Sequence, residues 1–408
     1  MSETMNPDSD ENLARYRAEA RAFLTREAPA FSGAARKGLT QLEDLALGRR
    51  WQAMKAAHGY GAVSVPKAYG GGGGTALQKV IFHQEELAYE LPTHYFAISL
   101  SNPIPIMSHF ATEAQKLALI PQAVRGEHIW CQLFSEPSAG SDLAALRLSA
   151  VRDGDGWRMN GQKVWTSWAQ YADWGVVIAR TDPTVPKHAG LTYFFLDMKT
   201  PGIAVRPFNL LDGGNHINEV FFEDVYVPDA QRLGGVGEGF KVAISTLMIE
   251  RLSVTDPWAG GPDLETVLEL MRERTVGGRP AIEDPAFSGA LVDAVIQERA
   301  LNNIAHRAFA AIGAGRAPGP EGSITKLLVA AGRQKLCRLA MDVLGPEGLI
   351  LEDDASNRHD FTKSWLSAPL SRIAGGTDQI LRNTIAERVL GLPQDHRPDK
   401  GVPFNQLK

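Results

Sequence analysis

Cysteine is nearly absent from this 408-residue chain: only Cys131 and Cys337 occur. Two thiols exclude a disulfide framework and a cysteine-rich metal site. An excess of positive charge is missing too. Forty-two Lys and Arg against 47 Asp and Glu leave a formal net charge of −5, so no basic face for nucleic acid is expected. No apolar run reaches the roughly 20 residues that a bilayer crossing needs. The ten histidines, among them His83, His94, His109 and His128, show no H-x₃-H or HExxH spacing, and no metal is expected. No G-x-S-x-G element suggests a hydrolase. The polar, acidic start Met1–Asn12 has neither a basic n-region nor an apolar h-region. A secretory signal is therefore not expected, and a cytoplasmic enzyme without membrane contact is the default.

What remains is an ordinary globular composition, 44% apolar and 22% charged, in a chain too long for one core. Residues 13 to about 129 read helical: Tyr16–Leu24 and Leu45–Ala57 carry apolar residues at mixed three and four spacing. Five glycines, Gly70–Gly74, interrupt this half. No β-rich run precedes them and no GK[ST] follows, so they read as a flexible inter-helix turn rather than a phosphate loop. From about Trp130 to Gly237 the pattern changes. Trp174–Ala179, Leu191–Leu196 and Val220–Val227 are β-branched and aromatic, bounded by Asp, Pro and Gly, and read as strands. Asn160-Gly161 between two short runs reads as a hairpin turn. After Gly237 helices return. Leu291, Val295, Leu301, Ile304, Ala308 and Ile312 can share one face of a long helix, with further helices at 324–344 and 378–390. The Pro-rich polar stretch from Pro393 reads as a tail. No internal repeat is found.

Three short stretches carry the chemistry. Gln132-Leu133-Phe134-Ser135-Glu136-Pro137-Ser138-Ala139-Gly140-Ser141-Asp142 begins as a strand, in which Gln132 and Phe134 point to one side, and ends as a tight loop rich in backbone donors. Trp165-Thr166-Ser167 follows, and Gly375-Gly376-Thr377-Asp378-Gln379-Ile380 lies near the C-terminus. Together they resemble the flavin site of the acyl-CoA dehydrogenase family, and the resemblance runs from about Trp51 to Pro393. It implies an α+β fold: an N-terminal helical domain (1–129), a central β-barrel or sandwich domain (130–237), a C-terminal four-helix-bundle-like domain (238–393) and a tail (394–408). It implies FAD, held by the residues matching Gln132, Phe134, Ser135, Gly140, Ser141, Trp165, Thr166, Ser167, Arg274, Thr377 and Gln379. Trp165 would stand against the ring and Ser167 near its N5 edge. Thr377 can also cap a helix. The glycine-rich run Gly234–Gly239 matches the family's domain connection, and no βαβ unit surrounds it as a dinucleotide fingerprint would require.

The reaction so implied is oxidation of an acyl-CoA thioester to the 2,3-enoyl-CoA. It needs a carboxylate at the α carbon, in a dry site that raises its pKa. Many members place it just before the Gly-Thr of the last motif, where this chain has Ala374 and Gly375. In Leu247-Met248-Ile249-Glu250-Arg251-Leu252 it resembles the isovaleryl- and long-chain-type branch, which makes Glu250 the candidate base. Ser141, Arg251 and Gly375 are the candidate substrate contacts. The small residues at 374 and 375 suggest room for a branched or bulky acyl group, such as a steroid side chain. Some positions depart from the family pattern: Gly277 and Pro285 replace a Phe and a Gln after Arg274, and Asp342 and Pro346 replace a Gln and a Gly. The resemblance further implies an electron-transferring flavoprotein as acceptor and a homotetramer or α₂β₂ oligomer. A partner subunit completing another chain's site, and an acyl-CoA oxidase or flavin monooxygenase on the same scaffold, are the alternatives.

Overall fold

Helix starts in the N-terminal half are fixed by short polar side chains. Ser9 caps α1 (Asp10–Glu27), and Thr40, Thr75 and Thr112 each form a capping box with the Glu or Gln three residues on. These three open α2 (Gln41–Ala57), α3 (Ala76–Glu86) and α6 (Glu113–Val124), while α4 (His94–Ser101) and α5 (Pro103–Phe110) lie between the last two. The structure, a computed structural model, describes residues 7–252, 262–313, 319, 322–350 and 361–407. Residues fall into two units by their contacts: 1–210, 214–253 and 395–408 in the first, 211–213 and 254–394 in the second.

The first unit continues with β1 (Trp130–Leu133), β2 (Ser149–Asp153), β3 (Gly156–Ser167), β4 (Trp174–Arg180), β5 (Leu191–Asp197), β6 (Ile203–Phe208), β7 (Ile217–Pro228) and β8 (Arg232–Leu233), then α7 (Gly239–Leu252). The strands form one sheet in the order β6-β7-β3-β2-β4-β5-β8, with β1 parallel to β4. Burial on both faces explains why β4 and β5 are largely apolar, Thr192 and the end residues Arg180 and Asp197 apart. Val177, Ala179, Phe194 and Leu196 pack into a core made by the sheet itself, with Cys131, Met159, Val220 and Phe222. Val176, Ile178, Tyr193 and Phe195 point the other way, onto Ile104, Ile106 and Met107 of α5, Ile120 and Val124 of α6, and Val242 and Ala243 of α7.

Two turn expectations are corrected. Asn160-Gly161 is not a hairpin turn but lies inside β3, at a register shift against β7, with Gly161 at φ 143° and Asn160 Oδ1 accepting the Asp224 N–H. Between these pairs β7 has one residue more than β3, a bulge in which Asp224 takes φ 53°, and Gly161 supplies the unusual backbone opposite it. The hairpin is instead Asp153-Gly154-Asp155-Gly156, with Gly154 at φ 59° in the first central position. Nor is Gly70–Gly74 a loose connector. The N–H groups of Gly71, Gly72, Gly73 and Gly74 donate to Pro66, Ala62, Val65 and Val63, and a Cβ on Gly71 would lie 2.1 Å from the Val65 carbonyl oxygen. Gly71→Ala is expected to cost about 1–3 kcal/mol through backbone displacement, read as a lowered denaturant midpoint with an unchanged m-value.

The second unit holds α8 (Leu264–Glu273), the two-stranded β9 (Thr275–Val276) and β10 (Arg279–Pro280), α9 (Pro285–Gly313), α10 (Gly322–Leu344), α11 (Phe361–Ser367) and α12 (Asp378–Thr384). Val267, Leu270 and Met271 of α8, Leu291 of α9, Leu339, Ala340 and Val343 of α10 and Phe361 of α11 share its core. The long helix expected around Leu291–Ile312 is α9, and those expected at 324–344 and 378–390 are α10 and α12 with the π-turn that follows it.

The Pro-rich segment read as a tail is docked rather than loose. Phe404 N–H donates to Val185 O (2.9 Å) and Asn405 N–H to Pro183 O (2.9 Å), which lays the segment along the β4–β5 loop. No helix among the described residues is long and apolar enough to cross a membrane.

Candidate active site

Gln132 and Phe134 share the helix-facing side of the sheet, as strand alternation requires. Gln132 Oε1 accepts from Asn102 Nδ2 (2.6 Å), and Phe134 is buried edge-on to Tyr193, ring centroids 5.8 Å apart. The next residues turn sharply: Glu136 and Ala139 exchange backbone hydrogen bonds (2.9 and 3.0 Å). The Glu136 carboxylate is buried and accepts the N–H groups of Arg147 (2.6 Å) and Leu148 (2.9 Å), so it closes both ends of the loop. Its counter-ion is Lys163 of β3, fully buried. The Lys163 ammonium donates to Glu136 Oε1 (2.8 Å) and to the Phe134 carbonyl (2.9 Å). Burial pushes the Lys163 pKa down to about 8, against the opposing pull of Glu136.

Beside that pair β3 breaks register. Val164 N–H leaves the ladder and donates to Ser135 O (2.9 Å), and pairing with β7 shifts between Lys163 and Thr166. Trp165 sits at this shift with φ 61°, a strained conformation for a bulky residue, and is 56% exposed, with Phe208 edge-on to it among the described aromatic rings. Trp168 repeats the left-handed conformation at φ 57°. Such strain persists where the surroundings enforce it, commonly at functional sites. Thr166 points inward: it is fully buried, its hydroxyl has no partner among the described residues, and Asn218 Nδ2 holds its carbonyl (3.0 Å). Thr166 thus anchors the strand from beneath and offers no side chain at the surface. Ser167 is nearly buried.

Gly140 and Ser141 are exposed, and a Cβ on Gly140 would meet nothing within 4 Å. Among the described residues the N–H groups of Gly140, Ser141 and Asp142 and the hydroxyls of Ser135, Ser141 and Ser167 make no hydrogen bond within the protein. A flat uncovered indole, uncommitted hydroxyls near it and a loop of free N–H donors are what a flavin ring and its pyrophosphate require. These residues therefore fit FAD.

In the second unit Thr377 caps α12, its hydroxyl accepting from Ile380 N–H (3.3 Å), and Gln379 is exposed. Gly375 and Gly376 have φ 65° and 104°. Lys326 Nζ donates to the carbonyl of Gly376 (3.0 Å), and Arg372 pairs with the buried Asp378, so this loop is tied from both sides. Arg274 ends α8 and pairs with Glu347. Glu250 and Arg251 belong to the last turn of α7, and their side chains lie outside the described residues. Within the first unit hydrogen bonds tie the segments of Ser135 and Trp165 together, whereas Arg274, Gly375, Thr377 and Gln379 belong to the second.

Models of the acyl-CoA dehydrogenase N-terminal, middle and C-terminal domains match residues 10–127, 131–225 and 237–390 in turn. The chain belongs to the acyl-CoA dehydrogenase family. It is 34% identical to the acyl-CoA dehydrogenase IpdE1 of Mycobacterium tuberculosis, over 94% of this chain and 99% of that one. It is 40% identical to the acyl-CoA dehydrogenase FadE34 of the same organism, over 81% of this chain but 44% of the relative, so it spans less than half the length of that protein. Among solved structures, the ChsE4–ChsE5 complex from Mycobacterium tuberculosis is similar at TM-score 0.76 and 25% identity, covering 97% of this chain and 100% of the other. FAD is the cofactor of the family, and its members are oxidoreductases.

Positions where this acyl-CoA dehydrogenase chain departs from the family pattern have local uses. Gly277 and Gly278, at φ 60° and 85°, make the β9–β10 turn, and Pro285 opens α9. Asp342 pairs with Arg338 one turn earlier, and Pro346 lies at the start of a 3₁₀ turn. Lys163 went unnoticed in the sequence although it shares the strand face of the buried Trp157 and Met159: a lysine at an inward position is legible only once its buried counter-ion Glu136 is in view.

Proposed function

We propose that this chain binds FAD and oxidises an acyl-CoA thioester to the 2,3-enoyl-CoA. The reading rests chiefly on Trp165, held uncovered at a strained φ beside a loop of free N–H donors. FAD, when bound, supplies the acceptor for the hydride that leaves the β carbon. The chain's residues do the rest. Glu250 removes the α proton, in a helix turn whose preceding residues Leu247, Met248 and Ile249 are apolar. Ser135 and Ser167 offer hydroxyls to the ring edge, and Trp165 its indole to the ring. The N–H groups of Gly140 and Ser141 seat a phosphate; Thr377, Gln379 and Arg274 match family positions that contact a flavin, in part across a subunit interface. Ser141, Arg251 and Gly375 contact the substrate.

Glycine at 375 leaves no carboxylate and no side-chain bulk there, which favours a branched or bulky acyl group, a steroid side chain included. Use of Gly277, Pro285, Asp342 and Pro346 for local turns and helix starts favours an α₂β₂ oligomer, with a second chain supplying the missing contacts, over a homotetramer. An electron-transferring flavoprotein as acceptor and a cytoplasmic location complete the reading. The purified protein is expected to be yellow and to bleach on anaerobic addition of a bulky acyl-CoA. Turnover of straight short chains alone would overturn the bulky-substrate reading. Bound flavin that no acyl-CoA bleaches would overturn the dehydrogenase reading.

A further inference from the structure

The loop after Glu136 is tied at its two ends by the Glu136 carboxylate, but its exposed middle has no tether of its own. Two cations of the β4–β5 region hold it. Arg180 donates to Ala144 O (2.6 Å) and Leu146 O (3.1 Å), and Lys187 Nζ donates to Asp142 Oδ2 (2.6 Å). Both cations are held in turn by the C-terminal segment. Lys187 Nζ reaches Asp399 Oδ2 at 2.6 Å, so one ammonium joins two carboxylates far apart in the chain. The guanidinium carbon of Arg180 lies 3.5 Å from the ring centroid of Phe404, and that of Arg147 lies 5.7 Å from it. A stacked, buried guanidinium keeps its fork oriented, because its planar face is covered while its edges stay free to donate.

We propose that residues 395–407 form a strap that sets the conformation of the Ser138–Leu146 loop through Lys187 and Arg180, so that Asp399, Lys187 and Phe404 are positioning residues for the cofactor's phosphates. The proposal rests on the FAD reading above, in that the loop's free N–H groups seat those phosphates. A loop already ordered before FAD arrives loses less conformational entropy on binding, and the strap supplies that order without touching the cofactor.

The test uses the full-length protein with Asp399→Asn, Asp399→Glu and Phe404→Ala. Two quantities are read: amide hydrogen exchange over residues 138–146 in FAD-free protein, and the FAD dissociation constant by titration. Asp399→Asn and Phe404→Ala are expected to speed exchange in the loop and to weaken FAD about tenfold, the scale of one charge-assisted bond. Asp399→Glu keeps the charge and is expected to restore both, with an unchanged thermal midpoint in all three. Unchanged loop exchange in Asp399→Asn and Phe404→Ala overturns the strap while leaving FAD binding intact. Failure of the wild-type protein to bind FAD overturns the cofactor reading instead, and the exchange measurement then decides the strap alone.

Discussion

Glu250→Gln is expected to retain FAD yet to lose substrate-dependent flavin bleaching, its reductive rate falling by about 10²–10⁴-fold, the usual contribution of a positioned general base. The amide is nearly isosteric with the carboxylate and can hold its place, but it cannot take a proton. The mount of that residue is rigid. Val242 and Ala243 of α7 are buried against the sheet, and Thr246, also buried, accepts or donates across 3.4 Å to the Tyr193 hydroxyl on β5. A helix so fixed one turn before Glu250 defines where its last turn begins. Anaerobic stopped-flow reduction of the two proteins compares the rates directly, and equal rates would remove Glu250 from the mechanism.

The second large effect concerns stability. Lys163→Met removes the cation that, among the described residues, is bonded to Glu136, and leaves a buried carboxylate together with the Phe134 carbonyl in need of a donor. Breaking a buried ion pair by deleting one partner costs about 3–5 kcal/mol. The N–H groups of Arg147 and Leu148 remain to Glu136 and place the expected loss near the lower end of that range. The pH dependence has a definite sign. Burial depresses the pKa of Lys163 to about 8 in the fold, whereas an unfolded lysine titrates near ~10.4. Between those values the unfolded chain binds more protons, so this group's contribution to stability rises with pH and is lost as pH falls through about 8. Methionine has no such titration. The gap in unfolding free energy between wild type and variant is therefore expected to widen from about pH 7.5 to about pH 9.5 in denaturant titrations. A constant gap would show that Lys163 keeps its ordinary pKa.

Features written in contiguous residues were legible in the sequence. The strands around 174–179 and 191–196 announce themselves because both faces are buried and their residues are almost all apolar. The Ser-Glu-Pro loop and the Trp165–Ser167 stretch each lie within a few contiguous residues, and the hydrogen bond from Val164 to Ser135 joins them. What escaped depends on partners distant in the chain. Asn160-Gly161 satisfies a bulge and a hairpin equally well until β7 is present to pair with β3. Gly70–Gly74 looks like a flexible run until Val65 and Gly59 are seen packed against it. Lys163 is an unremarked surface-type residue in the sequence; strand alternation sets it on the inward face with Trp157 and Met159, and its buried partner Glu136 lies 27 residues earlier. The segment after Gln394 has the composition of a tail, yet Phe404 and Asp399 find Arg180 and Lys187 more than two hundred residues earlier.

The shared apolar layer between sheet and helices has a consequence for synthesis. Ile104, Ile106, Met107, Ile120 and Val124 are completed well before the residues that cover them, which lie in β4, β5 and α7. At ordinary translation speeds of about 5–20 residues per second, that face waits on the order of ten seconds for its cover. During this interval the nascent helices present an apolar surface of the kind that chaperones exist to shield. Residues 395–407 arrive later still, after the whole of the second unit has been made, so the first unit is finished only after the second has had time to fold.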